Sequence, residues 1–597
     1  MTTNVVTRSF GNDRMGCFVD PSWTLTSEQV QSAGVRVLGQ LKLDDPRGAE
    51  GQVLAVADLT MTDGKAHNVV FVCDMSNNVY AFDADSFDLI WKQNVGRPIT
   101  ITKKWDMYMI NPFWGILSAP VINLTTQTLY CVSTSSVDGS MDNAVYQLHS
   151  LRLADGSNQA EPLKLNGATY QPPGGVPVQT LGAVARKQRP ALTLVSAGGH
   201  STVFIPFGSF IEDASTNLGW VVAVDVTNLA HPAIAAAWTT GSGQYPGAGI
   251  WQAGQGLSVD ANLNLHGMTG NGGFDPPTGN FGNCFFRLAY TPAGNAAPAK
   301  LECVDWWSPY SDAGRAGDDP TLIRPNTDPP DSMDAAPTNA MNNTSNAHLV
   351  GDEDLGSGGA LPLPRSLTGF GKDVIVGGGK DGIFYVLDSA NLGKTLRGDF
   401  APDKIAGNWA KLLSPPWAAT YDGIGLDLAP TELDTLPSAF GGYTRHIHGT
   451  PVGYKSPDHG IMLFVQGENG TVQAVGLNAG FNLTWIAAGQ EFASQGMPAP
   501  GGMPGGMLVL TCQAEGDNSA VLWSLMPWYG NANTTITAGR MVAYGANWVN
   551  EAGPNLIKLW DSADWNINYM HAKFDILTPF HNRLFVPSYD GRILVMG

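Results

Sequence analysis

Two histidines at alternate positions, His446 and His448 in RHIHGTPV, carry the most specific chemical signal in this chain. On an extended strand, residues two apart share a face. Both imidazoles then point the same way, a spacing used in copper and zinc sites. Two ligands do not complete a metal site: a third from His200, His348 or His571 would be needed, and the alternative is a pair of structural histidines bonded to neighbouring elements. Other chemistries lack their residues. The six cysteines, Cys17, Cys73, Cys131, Cys284, Cys303 and Cys512, include no Cys-x-x-Cys and no adjacent pair, so neither a zinc ribbon nor a thioredoxin-like site is read. Cys284 and Cys303 bracket an expected hairpin and are either free core thiols or a cross-strand disulfide. There is no Gly-x-Ser-x-Gly elbow. PGGMPGGM from Pro500 has the glycines of a phosphate loop without its Lys-Ser/Thr ending. GDEDLGSGG lacks the alternating acids of a calcium loop, although Asp352, Glu353 and Asp354 together offer carboxylates for calcium at an edge.

The bulk of the chain indicates what must position such residues. Of 597 residues only 14% are charged, where about 25% is usual. The 71 Gly, 39 Pro and 17 Trp describe many short strands joined by tight turns, and 43% hydrophobic residues exclude global disorder. With 52 acids against 33 bases and a net charge of −19, a nucleic-acid partner is excluded as an expectation, because phosphate binding needs clustered Lys and Arg. No uncharged apolar run reaches the roughly 18 residues of a transmembrane helix. The opening MTTNVVTRSFGNDRMG has no apolar core of signal-peptide type.

A repeat sets the fold. VVFVCDMSNNVYAFDADSFDLIWKQ from Val69 recurs as DVIVGGGKDGIFYVLDSANLGK from Asp373, IMLFVQGENGTVQAVGLNAGFNLTWIAA from Ile461 and NRLFVPSYDGRILVMG from Asn582. Each copy is an apolar run, a turn rich in Asn, Asp and Gly, and a second alternating run, the pattern of a β-meander. Weaker copies fill the gaps, giving units of roughly 50 to 70 residues. The prediction is an all-β, single eight-bladed propeller of four-stranded antiparallel blades, eight rather than seven, spanning 33–597 after an N-terminal extension at 1–32. The last copy ends after its middle strands, so ring closure requires an N-terminal strand, best supplied by GVRVLGQL. The Pro- and Asn-rich segment 311–353 has neither strand nor helix period and is expected to be a long surface loop.

In such a ring the innermost strands line a central channel, the default ligand site. Polar residues in Gly-rich motifs at the starts of blades are its candidates: Trp251 and Gln252 in GIWQAGQG, Asn271 and Asp275 in TGNGGFD, Asp354, Lys380 with Asp381, Glu468 with Asn469, Lys573 and Asp575. The competing reading is that the glycines allow tight packing and the polar groups cap turns.

The phrases NVYAFDAD and LIWKQ resemble the repeat of the pyrroloquinoline quinone (PQQ) enzymes, where the Trp near the end of each unit docks blade on blade. GIWQAGQGL, TGNGGFD, DLGSGGALPLP, VGGGKDGIFYVLD, HIHGTPV, PGGMPGG and AKFDILTP resemble bacterial propellers described as quinoprotein-like or similar to the outer-membrane assembly lipoprotein BamB. The resemblance implies either a binding or assembly propeller with a protein or polysaccharide partner, or an oxidoreductase of quinoprotein-like or metal-dependent type with PQQ, calcium or copper. It also implies an extracellular or periplasmic setting. Against that family's site, Asn271 and Asp354 stand where an inner-strand amide and carboxylate would serve and Lys380 where it would meet a quinone oxygen. With the channel candidates this makes Asp354 and Lys380 the catalytic candidates and Trp251, Gln252 and Asn271 the cofactor-binding ones, while His446 and His448 are the metal candidates by their spacing. The two adjacent cysteines of the quinone dehydrogenases are missing.

Overall fold

The computed structural model describes residues 3–597 apart from 185, 210–216, 244–246, 295–296, 309–353, 381, 397–407, 412–445, 482, 498–500 and 551–552. The expected surface loop 311–353, His348, Asp352, Glu353 and Asp381 lie outside the described residues.

Antiparallel four-stranded meanders form eight blades of a ring. The first blade runs through Leu54–Thr60, Ala66–Cys73, Asn78–Asp83 and Leu89–Asn94. Its central hairpin shows how the repeat is encoded: Asp74 Oδ1 accepts the backbone N–H groups of Ser76 and Asn78, and Asn77 takes a positive φ of 63°, the conformation Asn tolerates best among residues with a side chain. The first strands of the second to seventh blades are Val121–Asn123, Thr193–Ala197, Ser258–Val259, Leu361–Leu363, Val452–Ser456 and Met507–Cys512. The eighth blade comprises Thr578–Phe580, Arg583–Ser588 and Arg592–Met596, and its fourth strand is Val37–Lys42, paired antiparallel to the C-terminal strand. The ring is closed as the sequence leads one to expect.

Central strands are buried over runs of consecutive residues rather than on alternate ones. Every position of Thr128–Ser135 and Val521–Pro527 is buried, because each blade is sandwiched between two others. The outer strand Leu89–Asn94, by contrast, is half-buried or exposed throughout. Trp91 on that strand docks the first blade on the second, its Nε1 donating to Leu153 O at 2.9 Å. Trp485, at the matching place in the sixth blade, donates within its own blade to Gln473.

The segment before the closing strand is threaded through the ring. Val5 exchanges two 2.8 Å backbone bonds with Ala55 of the first blade, Ile122 of the second donates to Val6 O, and Asn12 Nδ2 donates to Leu194 O of the third. Val259 of the fourth donates to Asn12 O, Gly453 of the sixth to Met15 O and Leu510 of the seventh to Gly16 O. Cys17–Val19 then adds a parallel strand to Met507–Cys512. One segment can bond the first strands of six blades only where those strands converge, so it occupies the channel itself. Arg14 is fully buried there, held by Leu192 O, Leu257 O, Arg8 O and the hydroxyls of Thr7 and Thr193.

Candidate functional site at the channel mouth

In a four-stranded meander, the entry to the first strand and the turn between the second and third strands lie at the same end. Side chains from both sets of connections therefore meet at one mouth of the ring. They line a cavity of about 230 Å³: Lys187, Arg189 and Ser209 from the third blade's connections, Trp251 before the fourth, Asp354 and Lys380 around the fifth, Met503 and Asn533 around the seventh, Lys573 and Phe574 before the eighth.

Aromatic rings and cations alternate around this cavity. Trp251 and Phe574 lie edge to face at 5.6 Å between centroids. Lys380 Nζ is 5.6 Å from the Trp251 ring, and the Arg189 guanidinium is 5.1 Å from that of Phe574, distances at which a cation is attracted to a ring face. Trp251 Nε1 donates to Asp354 Oδ2 at 2.7 Å, and Lys380 Nζ lies 3.7 Å from the same oxygen. Lys573 Nζ donates to Asn533 Oδ1 at 2.9 Å.

Beneath the rings sit buried charges. Arg189 Nη2 meets Glu50 Oε2 at 2.5 Å, while Asn111 and Tyr589 donate to Glu50 Oε1 at 2.9 and 3.0 Å. Burial alone would raise the Glu50 carboxyl, but Arg189, Lys573 and Lys187 outweigh it and hold the group at about 2. Burial pushes the Lys187 ammonium well below its ordinary value and brings Lys573 down to about 8. The threaded segment forms the floor: Arg8 Nη2 donates to Phe574 O at 2.7 Å, and Arg8 Nη1 is 4.0 Å from Asp575 Oδ1 with both side chains fully buried. Burial raises Asp575 to about 7 over the opposing pull of Arg8.

The sequence-derived candidates divide. Trp251, Asp354, Lys380 and Lys573 line the cavity together. Gln252 is buried behind it, donating to Gly256 O, and Asn271 is buried beside Asn283, whose Nδ2 donates to it at 3.4 Å; neither is among the lining residues. Asp275 accepts from Thr278 in a local turn, and Asn469 is a turn residue at φ 52°. His446 and His448 gain a third partner, though none of the histidines considered. Glu468 Oε1 lies 2.7 Å from His448 Nε2 and 3.7 Å from His446 Nδ1, so a residue named among the channel candidates stands between them. His200 lies half-buried, and His571 is buried with neither ring nitrogen hydrogen-bonded among the described residues, its imidazole pushed down to about 3 by burial.

Lys187, Arg189, Ser209, Asn533, Phe574 and Glu50 were not anticipated. ARKQRP places three bases in four positions of an acidic chain, and alternation sends Lys187 and Arg189 one way and Arg186 the other, which is the readable trace of the first two. All six cysteines are free thiols.

No family model matches this chain, and no curated protein matches its sequence. Solved structures do. The quinohemoprotein alcohol dehydrogenase from Comamonas testosteroni is 12% identical, with all of this chain aligned to 80% of that one at a TM-score of 0.50. The fold is that of the quinoprotein propellers. A europium-containing methanol dehydrogenase aligns over the whole chain and 85% of its own at 12% identity, TM-score 0.44, and BamB from Moraxella catarrhalis over 94% of this chain and 99% of its own at 10% identity, TM-score 0.41. This propeller has a tryptophan, a carboxylate and a lysine at its channel mouth. Among its described residues no helix is long and apolar enough to cross a membrane.

Proposed function

We propose that this propeller binds a flat, multiply negative small molecule at its channel mouth, of the carboxylated ortho-quinone class to which pyrroloquinoline quinone belongs. One observation carries the reading: Trp251, with Lys380 beside its ring, shares a single cavity with Lys187, Arg189 and Lys573. A planar anion needs a ring to stack on and cations at its edges, and this cavity supplies both. The likeness in fold to an alcohol dehydrogenase that is a quinohemoprotein supports the same class.

The donor set fits the quinone and does not fit calcium. Lys187, Arg189, Lys380 and Lys573 would pair with carboxylates and quinone oxygens, and Trp251 would lie against the ring plane. When bound, such a group supplies hydride acceptance. Calcium takes six to eight oxygen ligands, whereas Asp354 is the one carboxylate among the described lining residues and already bonds Trp251 and Lys380. The reading is therefore binding, with no oxidation step assigned to Asp354.

The test is titration of the full chain with pyrroloquinoline quinone, following tryptophan fluorescence and equilibrium dialysis. Saturable binding of one quinone per chain is expected, weakened at least tenfold by Trp251→Ala and by Lys380→Ala. Absence of saturable binding overturns the proposal and leaves the binding or assembly reading with a macromolecular partner.

A further inference from the structure

A second cluster lies beside this cavity rather than in it. His446, His448 and Glu468 are all buried, and one ligating atom from each lies within 4.8 Å of the other two. We propose that they hold one divalent first-row transition-metal ion, with zinc as the reference ion, through His446 Nδ1, His448 Nε2 and Glu468 Oε1. The proposal is independent of quinone binding.

The spacing is that of a site needing little movement. A tetrahedral ion with ligands at about 2.0–2.2 Å sets its donors roughly 3.4 Å apart. Here the carboxylate oxygen stands 2.7 Å from one imidazole nitrogen and 3.7 Å from the other, so shifts of well under an ångström per side chain would seat the ion. Two imidazoles and one carboxylate make a borderline donor set that favours zinc, iron or copper over calcium and magnesium. Three protein donors also leave a coordination position open, the arrangement of catalytic rather than structural zinc.

The ligands are held by their surroundings, as metal ligands usually are. Gly501 N–H donates to Glu468 Oε2 at 3.0 Å, which turns Oε1 towards the histidines. Glu468 N–H donates to His446 O at 2.9 Å. Between the histidines, Ile447 N–H donates to Gly379 O, and Ser357 Oγ donates to Ile447 O at 2.7 Å. The two histidines, on the entry to the sixth blade that also carries Glu468, are thus pinned to the fifth blade. Lys380, a cation whose charge acts on His448, is paired with Asp354. Trp251 packs on His448 with centroids 5.7 Å apart and also lines the cavity, so an ion here would sit one ring away from a ligand in the mouth.

The experiment uses the full chain stripped with a chelator and titrated with Co²⁺, whose ligand-field absorbance reports coordination, followed by Zn²⁺ competition. One Co²⁺ per chain with a visible band, displaced by one Zn²⁺, is expected. His446→Ala and Glu468→Gln should each weaken binding at least about 30-fold, while His200→Ala, outside the cluster, leaves the titration unchanged. Should a cluster variant fail to fold, the wild-type chain decides: Zn²⁺ must raise its thermal midpoint in a concentration-dependent way. No Co²⁺ uptake, no Zn²⁺-dependent rise, or equal affinity in folded His446→Ala and Glu468→Gln overturns the proposal.

Discussion

Trp251 Nε1 donates to Asp354 Oδ2 across 2.7 Å although the two residues are 103 positions apart in the chain. The bond fixes the plane of the indole that Lys380 and His448 flank. Glycine makes it possible. A Cβ on Gly270 would stand 2.4 Å from Asp354 Oδ1 and 3.1 Å from its Cγ, closer than atoms approach without displacement.

Gly270→Ala should therefore push Asp354 away and release the Trp251 ring. Quinone affinity, read by fluorescence titration, is expected to fall at least tenfold, a loss of about 1.4 kcal/mol. Wild-type affinity in a folded Gly270→Ala protein would show that the Asp354 position does not matter to the mouth.

Anion binding should weaken with rising pH. Lys573, lowered by burial to about 8, loses its charge as pH rises through that value, and Lys187 is shifted in the same direction. Between pH 7 and 9 the wild-type affinity for the quinone is expected to drop, and Lys573→Arg should flatten most of that drop. An equal slope in both proteins would place the titrating group elsewhere.

Asp575 predicts a pH effect on stability. Its folded carboxyl is raised from 3.8 to about 7, so the native state holds the proton more tightly than the unfolded chain. The stability this group contributes is full below about pH 3.8 and is lost as pH rises through about 7. Urea unfolding of wild type against Asp575→Asn across pH 4 to 8 should show the wild type losing on the order of 3–4 kcal/mol relative to the variant. Parallel curves would contradict the assignment.

Ring closure is testable on one strand. Leu41 is fully buried opposite Ile593, whereas Leu38 on the same strand is 52% exposed. Leu41→Ala should cost about 2–5 kcal/mol of stability, and Leu38→Ala should stay within about 0.5 kcal/mol. Equal effects in thermal or denaturant unfolding would mean that the strand closes the ring without packing into it.

The number of blades, their hairpin turns and the closing strand were legible in the sequence because each is a short-range pattern. Asp74 and Asn77 write a turn within four residues, and the truncated last repeat from Asn582 announces a missing strand. The pairing of His446 with His448 was legible for the same reason, since alternation along an extended segment is local, although the segment lies just before the strand Val452–Ser456 rather than in it. What only the tertiary structure decided is convergence. The third member of the histidine cluster, Glu468, follows His448 by 20 positions and reaches it because the entry to the sixth blade's first strand and the turn between its second and third strands lie at the same end of the blade. Lys187, Arg189, Lys380 and Lys573 meet because strand entries and second turns of separate blades share one end of the ring, a distance through space that no spacing along the chain records. The threading of Val5–Val19 through the channel is likewise invisible in its composition. Its backbone bonds are made to five different blades and the Asn12 side chain reaches a sixth, and those partners are brought within reach only when the ring has formed.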